Sequence, residues 1–84
     1  MEEVFDEIER KVKEIIKRVL KVKDTEIKKE SSIADLGGDS LSALSILSAI
    51  EEEFDINIPD EETAEIDSFS GAVRTVKKHI KGHK

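Results

Sequence analysis

Val4, Phe5, Ile8, Val12, Ile15, Ile16 and Val19 recur at spacings of three and four, the period of one face of an α-helix. Between them acids and bases alternate, with Glu7 and Lys11, and Glu14 and Arg18, placed as i,i+4 pairs. The pattern predicts a first helix over roughly residues 2–20. The period lapses over residues 21–38, which read as a long connection pinned to the core by Val22, Ile27, Ile33 and Leu36. A second helix is predicted from near Asp39 to about Phe54. Its apolar set of Leu41, Leu44, Ile46, Leu47, Ala49, Ile50 and Phe54 is wider than one stripe. Ile46, Leu47, Ile50 and Phe54 suffice for a core, which leaves Leu41 and Leu44 partly exposed beside Ser40. Pro59 suits the first turn of a short third helix, with Asp60, Glu61 and Glu62 at its positive end. A last helix follows over 67–81, capped by Asp67 or Ser68 and ended by Gly82, with Phe69, Ala72, Val73, Val76 and Ile80 facing inward. No β-alternation or repeat interrupts the series. The expected fold is all-α, a small four-helix bundle with one long and two short connections.

Eighty-four residues make one domain, 1–84. A chain of that size buries only about two-thirds of its unfolded surface and has no room for a cleft between lobes. The absence of cysteine excludes a disulfide staple, a thiol nucleophile and a zinc–thiolate site. No 18-residue apolar run occurs and the chain opens with acids, so neither a membrane span nor a signal peptide is expected. A cytoplasmic location is the expectation.

Charge is segregated more sharply than the net −6 suggests. Residues 1–30 balance nine acids with nine bases, residues 31–73 hold eleven acids and no base, and residues 74–84 hold five bases and no acid. A 43-residue stretch without Lys or Arg attracts basic protein surfaces and repels nucleic acid. A merely solvated acidic face fits the same pattern.

Within that stretch, Leu36-Gly37-Gly38-Asp39-Ser40-Leu41 sets one serine where a glycine turn meets a helix start. Glycine tolerates unusual backbone angles and lets a partner approach closely. Asp39 or Ser40 can cap the helix, whose free amides and partial positive charge suit a phosphate ester on the serine oxygen. Local chemistry alone also fits an ordinary turn and cap. Catalysis has little support. A serine nucleophile needs a base in reach and a group to orient it, and the only histidines are His79 and His83 in the last turn and tail. Their i,i+4 spacing could hold a metal, but a frayed basic terminus explains it better, and no metal site is expected. Glu51, Glu52 and Glu53 point in different directions and make no carboxylate dyad. Ser40 reads as a residue that is modified, not one that attacks.

The stretch from Leu36 to Leu41, followed by Ile50-Glu51-Glu52-Glu53-Phe54-Asp55-Ile56-Asn57-Ile58-Pro59-Asp60-Glu61-Glu62, closely resembles the stand-alone acyl carrier proteins. The resemblance implies a carrier and no enzyme, with 4′-phosphopantetheine transferred from coenzyme A onto Ser40 and acyl groups held as thioesters on its thiol. It implies partner contact at Asp39, Leu41, Leu44, Ser48, Glu51, Glu52 and Ile58. Acyl-chain lining falls on Ile46, Ile50, Ile66, Ala72 and Val73. The implied partners are a phosphopantetheinyl transferase, an acyltransferase or ligase, and condensing and reducing enzymes with basic docking patches; a monomer is expected. Fatty-acid carriers place an acid, an apolar residue, an acid and a methionine where this chain has Ser42, Leu44, Ser45 and Ser48. The stretch Leu36-Gly37-Gly38-Asp39-Ser40-Leu41-Ser42-Ala43-Leu44 also resembles carrier domains of peptide and polyketide synthases, so a specialised carrier or a free-standing aminoacyl or peptidyl carrier is an alternative. An unmodified helical interaction module is another.

Overall fold

The computed structural model describes residues 4–80. Helix α1 spans Glu7–Leu20, not residue 2 onward. A capping box decides its start: the Glu9 amide donates to Asp6 Oδ1 and the Asp6 amide donates to Glu9 Oε1, both at 2.8 Å. Val4 and Phe5 therefore precede the helix. Val4 is 83% exposed, whereas Phe5 turns back to stack edge-on against Phe69 with ring centroids 5.6 Å apart. Ile8, Val12, Ile15 and Ile16 form the buried face. The expected i,i+4 pairs give way to other partners: Lys11 reaches Glu53 at 3.6 Å and Glu14 pairs with Lys17 at 3.1 Å.

Lys21, in the left-handed conformation, ends α1 and opens the long connection. A 3-10 turn, Asp24–Glu26, leads to Ile27 and Ile33, both buried as the sequence implied, with Val22 and Leu36 packed against the core. The connection is also held by backbone. The Ile33 amide donates to the Asp67 carbonyl at 2.8 Å, and the Phe69 amide to the Ser31 carbonyl at 2.9 Å. Ser32 and Ser68 thus form an isolated antiparallel bridge, and no strand forms among the described residues.

Helix α2 spans Ser40–Phe54 and buries Ile46 and Ile50. The expected third helix is a 3-10 helix, Asp60–Asp67, with Pro59 just before it in extended conformation and not in its first turn. Helix α3, Phe69–His79, is capped by Ser68, whose Oγ accepts the Gly71 amide at 3.0 Å. It ends at Ile80, which is extended; Gly82, the expected terminator, lies outside the described residues. A Cβ at Gly71 would collide with the Glu65 carbonyl oxygen, so α3 and the 3-10 helix meet more closely than any side chain permits. Val12, Ile16, Ile46, Ile50, Ile66, Phe69, Ala72 and Val76 fill the centre of this helical bundle.

Candidate functional site

The site begins with a turn folded on itself. Ser32 Oγ accepts the Asp35 amide at 3.0 Å, the Ala34 carbonyl accepts the Gly37 amide at 3.0 Å, and the Ile33 carbonyl accepts the Gly38 amide at 2.8 Å. Its two glycines have different causes. Gly37 adopts φ +89°, a conformation L side chains rarely reach. Gly38 is needed for packing, since a Cβ there would overlap Ile33 Cγ2 and lie 3.0 Å from Leu20 Cδ2. Leu20 belongs to the last turn of α1, so the turn before Ser40 is seated on that helix.

Asp39, not Ser40, caps α2. Its Oδ1 accepts the Ser42 amide at 3.0 Å and the Ser42 hydroxyl at 3.1 Å. Those two bonds, the amide's first, hold the Asp39 carboxyl below the usual carboxylate range. Ser40 is left as the first helical residue, exposed, its hydroxyl without a partner among the described residues. It stands exposed at the positive helix end, which fits a covalently attached phosphodiester. One expectation needs adjusting, because the Asp39 carboxylate already shares that helix end and takes one of its amides. His79 sits elsewhere, with Nε2 2.6 Å from Glu62 Oε1, and nothing described brings a base to Ser40.

Along α2, Leu41 is 73% and Leu44 57% exposed, as its broad apolar set predicts. Leu44, Ser45, Ser48, Ala49, Glu51, Glu52 and Asp55 line a shallow open groove of about 830 Å³. Ser42, tied into the cap, is not part of it, so the three serines do not act as one surface. Of the residues expected to meet partners, Asp39, Leu41, Leu44, Ser48 and Glu52 are exposed. Glu51 is half-buried, and its Oε2 accepts the Ile58 amide at 2.9 Å. Ile58 itself is only 7% exposed and belongs to the core, so it offers a partner no surface here. Ile46, Ile50, Ile66, Ala72 and Val73 all belong to the buried core, contributed by α2, the 3-10 helix and α3. None of the five lines the groove on α2.

Tertiary pairing redistributes the acids. Lys11 engages Glu53, Arg74 engages Glu65 at 3.1 Å, and Lys78 and His79 engage Glu62. Glu51, Glu52 and Asp55 on the groove have no ion pair among the described residues. Part of the segment's unpaired charge thus lies along the α2 groove, beside the exposed Leu44.

Comparison with known proteins agrees with this geometry. Residues 10–76 match the family model described as the phosphopantetheine attachment site. Over 70 residues the chain is 50% identical to an acyl carrier protein of Clostridium acetobutylicum, covering 82% of this chain and 91% of that protein. The fold superposes on the mupirocin didomain acyl carrier structure with TM-score 0.74 and 18% identity. That match covers 98% of this chain, which spans 45% of the two-domain protein. With the exposed serine at the head of α2, these similarities place the chain in the phosphopantetheine attachment-site family, as an acyl carrier whose prosthetic group is covalent 4′-phosphopantetheine.

Proposed function

We propose that Ser40 is the attachment point and that residues 1–84 act as a single carrier domain presenting acyl groups to a succession of enzymes. The observation that carries this reading is the exposed, unpartnered hydroxyl at the first residue of α2, entered through the Gly37–Gly38 turn. On modification, Ser40 Oγ forms a bond to the phosphorus of coenzyme A nearest the pantetheine, the pyrophosphate bond breaks, and the nucleotide departs. The serine proton passes to a base of the transferase, because no base of this chain contacts Ser40 among the described residues. When attached, the group supplies a thiol, which the cysteine-free chain lacks.

The chain's own contribution is presentation. Leu41 and Leu44 offer apolar contact, while Glu52 and Asp55 steer basic enzyme surfaces at distance. Steering raises encounter rates without tight binding, which suits a carrier that must leave each partner. Among the described residues no helix is long and apolar enough to cross a membrane. We read the protein as a cytoplasmic monomer serving a transferase, a loading ligase or acyltransferase, and condensing and reducing enzymes. Ser45 and Ser48, in the α2 groove where fatty-acid carriers have an acid and a methionine, favour specialised enzymes over the ordinary fatty-acid set. The core residues Ile46, Ile50, Ile66, Ala72 and Val73 are the lining a sheltered acyl chain would meet, at roughly 0.8 kcal/mol per CH₂ buried.

Intact mass after incubation with coenzyme A and a phosphopantetheinyl transferase tests the assignment. The wild-type chain is expected to gain one phosphopantetheine, and folded Ser40→Ala to gain none. Modification that persists in the variant overturns the assignment of Ser40. The ligase that then loads the holo thiol distinguishes an acyl from an aminoacyl cargo.

A further inference from the structure

Asp39 and Ser40 are consecutive, so whatever fixes the first restricts where the second can point. The Asp39 backbone is extended, at φ −137° and ψ −168°, and its carbonyl accepts the Ala43 amide at 2.9 Å. On the other side, the Gly38 amide is tied back to the Ile33 carbonyl. The Asp39 carboxylate is held twice, both times by Ser42 and through one oxygen. Oδ1 accepts the Ser42 amide at 3.0 Å and the Ser42 hydroxyl at 3.1 Å. A helix cap needs only the amide, so the hydroxyl bond is surplus to capping. Ser42 is half-buried, whereas Ser40 is exposed and its own hydroxyl has no partner among the described residues.

We propose that Ser42 is a positioning residue for phosphopantetheine transfer: its hydroxyl holds the Asp39 carboxylate to the helix, which leaves the Ser40 hydroxyl free for the base of the transferase. The proposal rests on Ser40 as the attachment point.

A carboxylate with a single capping bond keeps rotational freedom at its terminal torsion. The hydroxyl next to it in the chain is a donor that it is able to accept. A serine engaged in that way aims its proton at an internal acceptor, and the transferase must break that bond before its own base takes the proton. Charge works in the same direction, because a carboxylate turned towards Ser40 repels the pyrophosphate of incoming coenzyme A. The second donor restrains both effects. The Asp39 carboxyl lies below its usual range, through the Ser42 amide first and the Ser42 hydroxyl next, so at neutral pH it is ionised and only accepts.

Ser42→Ala and Ser42→Thr, assayed for single-turnover transfer by a phosphopantetheinyl transferase with coenzyme A, test the proposal. At saturating transferase, Ser42→Ala is expected to be modified about threefold more slowly than wild type. The transferase concentration giving half the maximal rate should not change. Ser42→Thr, which keeps the hydroxyl, should regain the wild-type rate, and both variants should melt within about 3 °C of wild type. The carbon-13 signal of the Asp39 carboxyl reports the clamp itself. Its titration midpoint is expected to move up in Ser42→Ala and to stay in place in Ser42→Thr. Equal rates for wild type and Ser42→Ala overturn the proposal, as does a slowing that Ser42→Thr does not reverse. A change confined to the half-saturating concentration makes Ser42 a docking contact, and a midpoint indifferent to Ser42→Ala removes the clamp; either result also overturns it. A wild-type chain that gains no phosphopantetheine overturns the reading of Ser40 itself, an outcome distinct from all of these.

Discussion

Helices α2 and α3 differ in how much of their apolar content they bury. α2 is the richer in aliphatic residues, yet it buries Ile46 and Ile50 while Leu41 and Leu44 stand in solvent. α3 has fewer apolar residues and buries Phe69, Gly71, Ala72, Val73, Thr75 and Val76, with the Thr75 hydroxyl satisfied by the Gly71 carbonyl at 2.9 Å. Their charges differ in the same sense. The carboxylates lining the α2 groove have no ion pair among the described residues, whereas the bases of α3 are spent on Asp6, Glu62 and Glu65. Apolar content therefore does not by itself mark the core. Where the stripe on a helix is wider than its neighbours can cover, the excess is available to something else.

Substitutions should separate the two helices. The largest effect is expected for Phe69→Ala, which removes a ring 1% exposed and in edge contact with Phe5. A loss of about 3–5 kcal/mol would consume much of the stability of so small a domain. Thermal melting followed by circular dichroism should drop by more than about 12 °C or show no transition. A near-normal melt would mean that α3 is not the structural member of the pair.

Leu41→Ala combined with Leu44→Ala is expected to do the reverse. Both side chains are largely in solvent, so the melting temperature should stay within about 3 °C of wild type. Transfer of phosphopantetheine should slow about tenfold, the value of roughly 1.4 kcal/mol of apolar contact with the transferase. An unchanged rate with an unchanged melt would leave α2 no claim as a docking face.

The smallest effect concerns acid. The Asp6 carboxyl is held below its usual range, chiefly by its 2.8 Å bond from Lys77 and then by the Glu9 amide. A group whose pKa falls on folding contributes stability above its unfolded pKa, and that contribution is lost as pH falls through its folded pKa. Asp6→Asn should therefore lower the melting temperature by a few degrees at neutral pH, the deficit closing as the solution is acidified below about pH 4. Glu52→Gln, which relieves an unpaired acid on α2, should not lower it at all. A deficit of equal size for both would show that pairing does not distinguish the two surfaces.

Much of this was legible in the chain. The inward residues of α3 follow its period, the excess leucines of α2 follow from its width, and Gly37-Gly38-Asp39-Ser40 announces a turn entering a helix. The apolar period runs on through Val4 and Phe5, but α1 starts at Glu7 because the Asp6–Glu9 capping box, a signal present in the sequence, overrides periodicity. Contacts between distant residues were not legible. Nothing local shows that Gly38 is required by Ile33 and Leu20, or that Ile58 is drawn inside while Glu62 meets the end of α3. The close approach of Gly71 to the Glu65 carbonyl belongs with these, since it joins the 3-10 helix of residues 60–67 to α3.

Glu51 carries a practical consequence for mapping experiments. Its position beside Glu52 invites its inclusion in any charge-reversal scan of α2, yet its carboxylate is a strut holding the backbone of Ile58. Replacing it with lysine would remove an acid from the surface and release the segment leading into the 3-10 helix in the same stroke. A weakened partner interaction in that variant would thus confound recognition with architecture. Glu52, its exposed neighbour with no such bond, is the residue on which a change of binding can be read at face value.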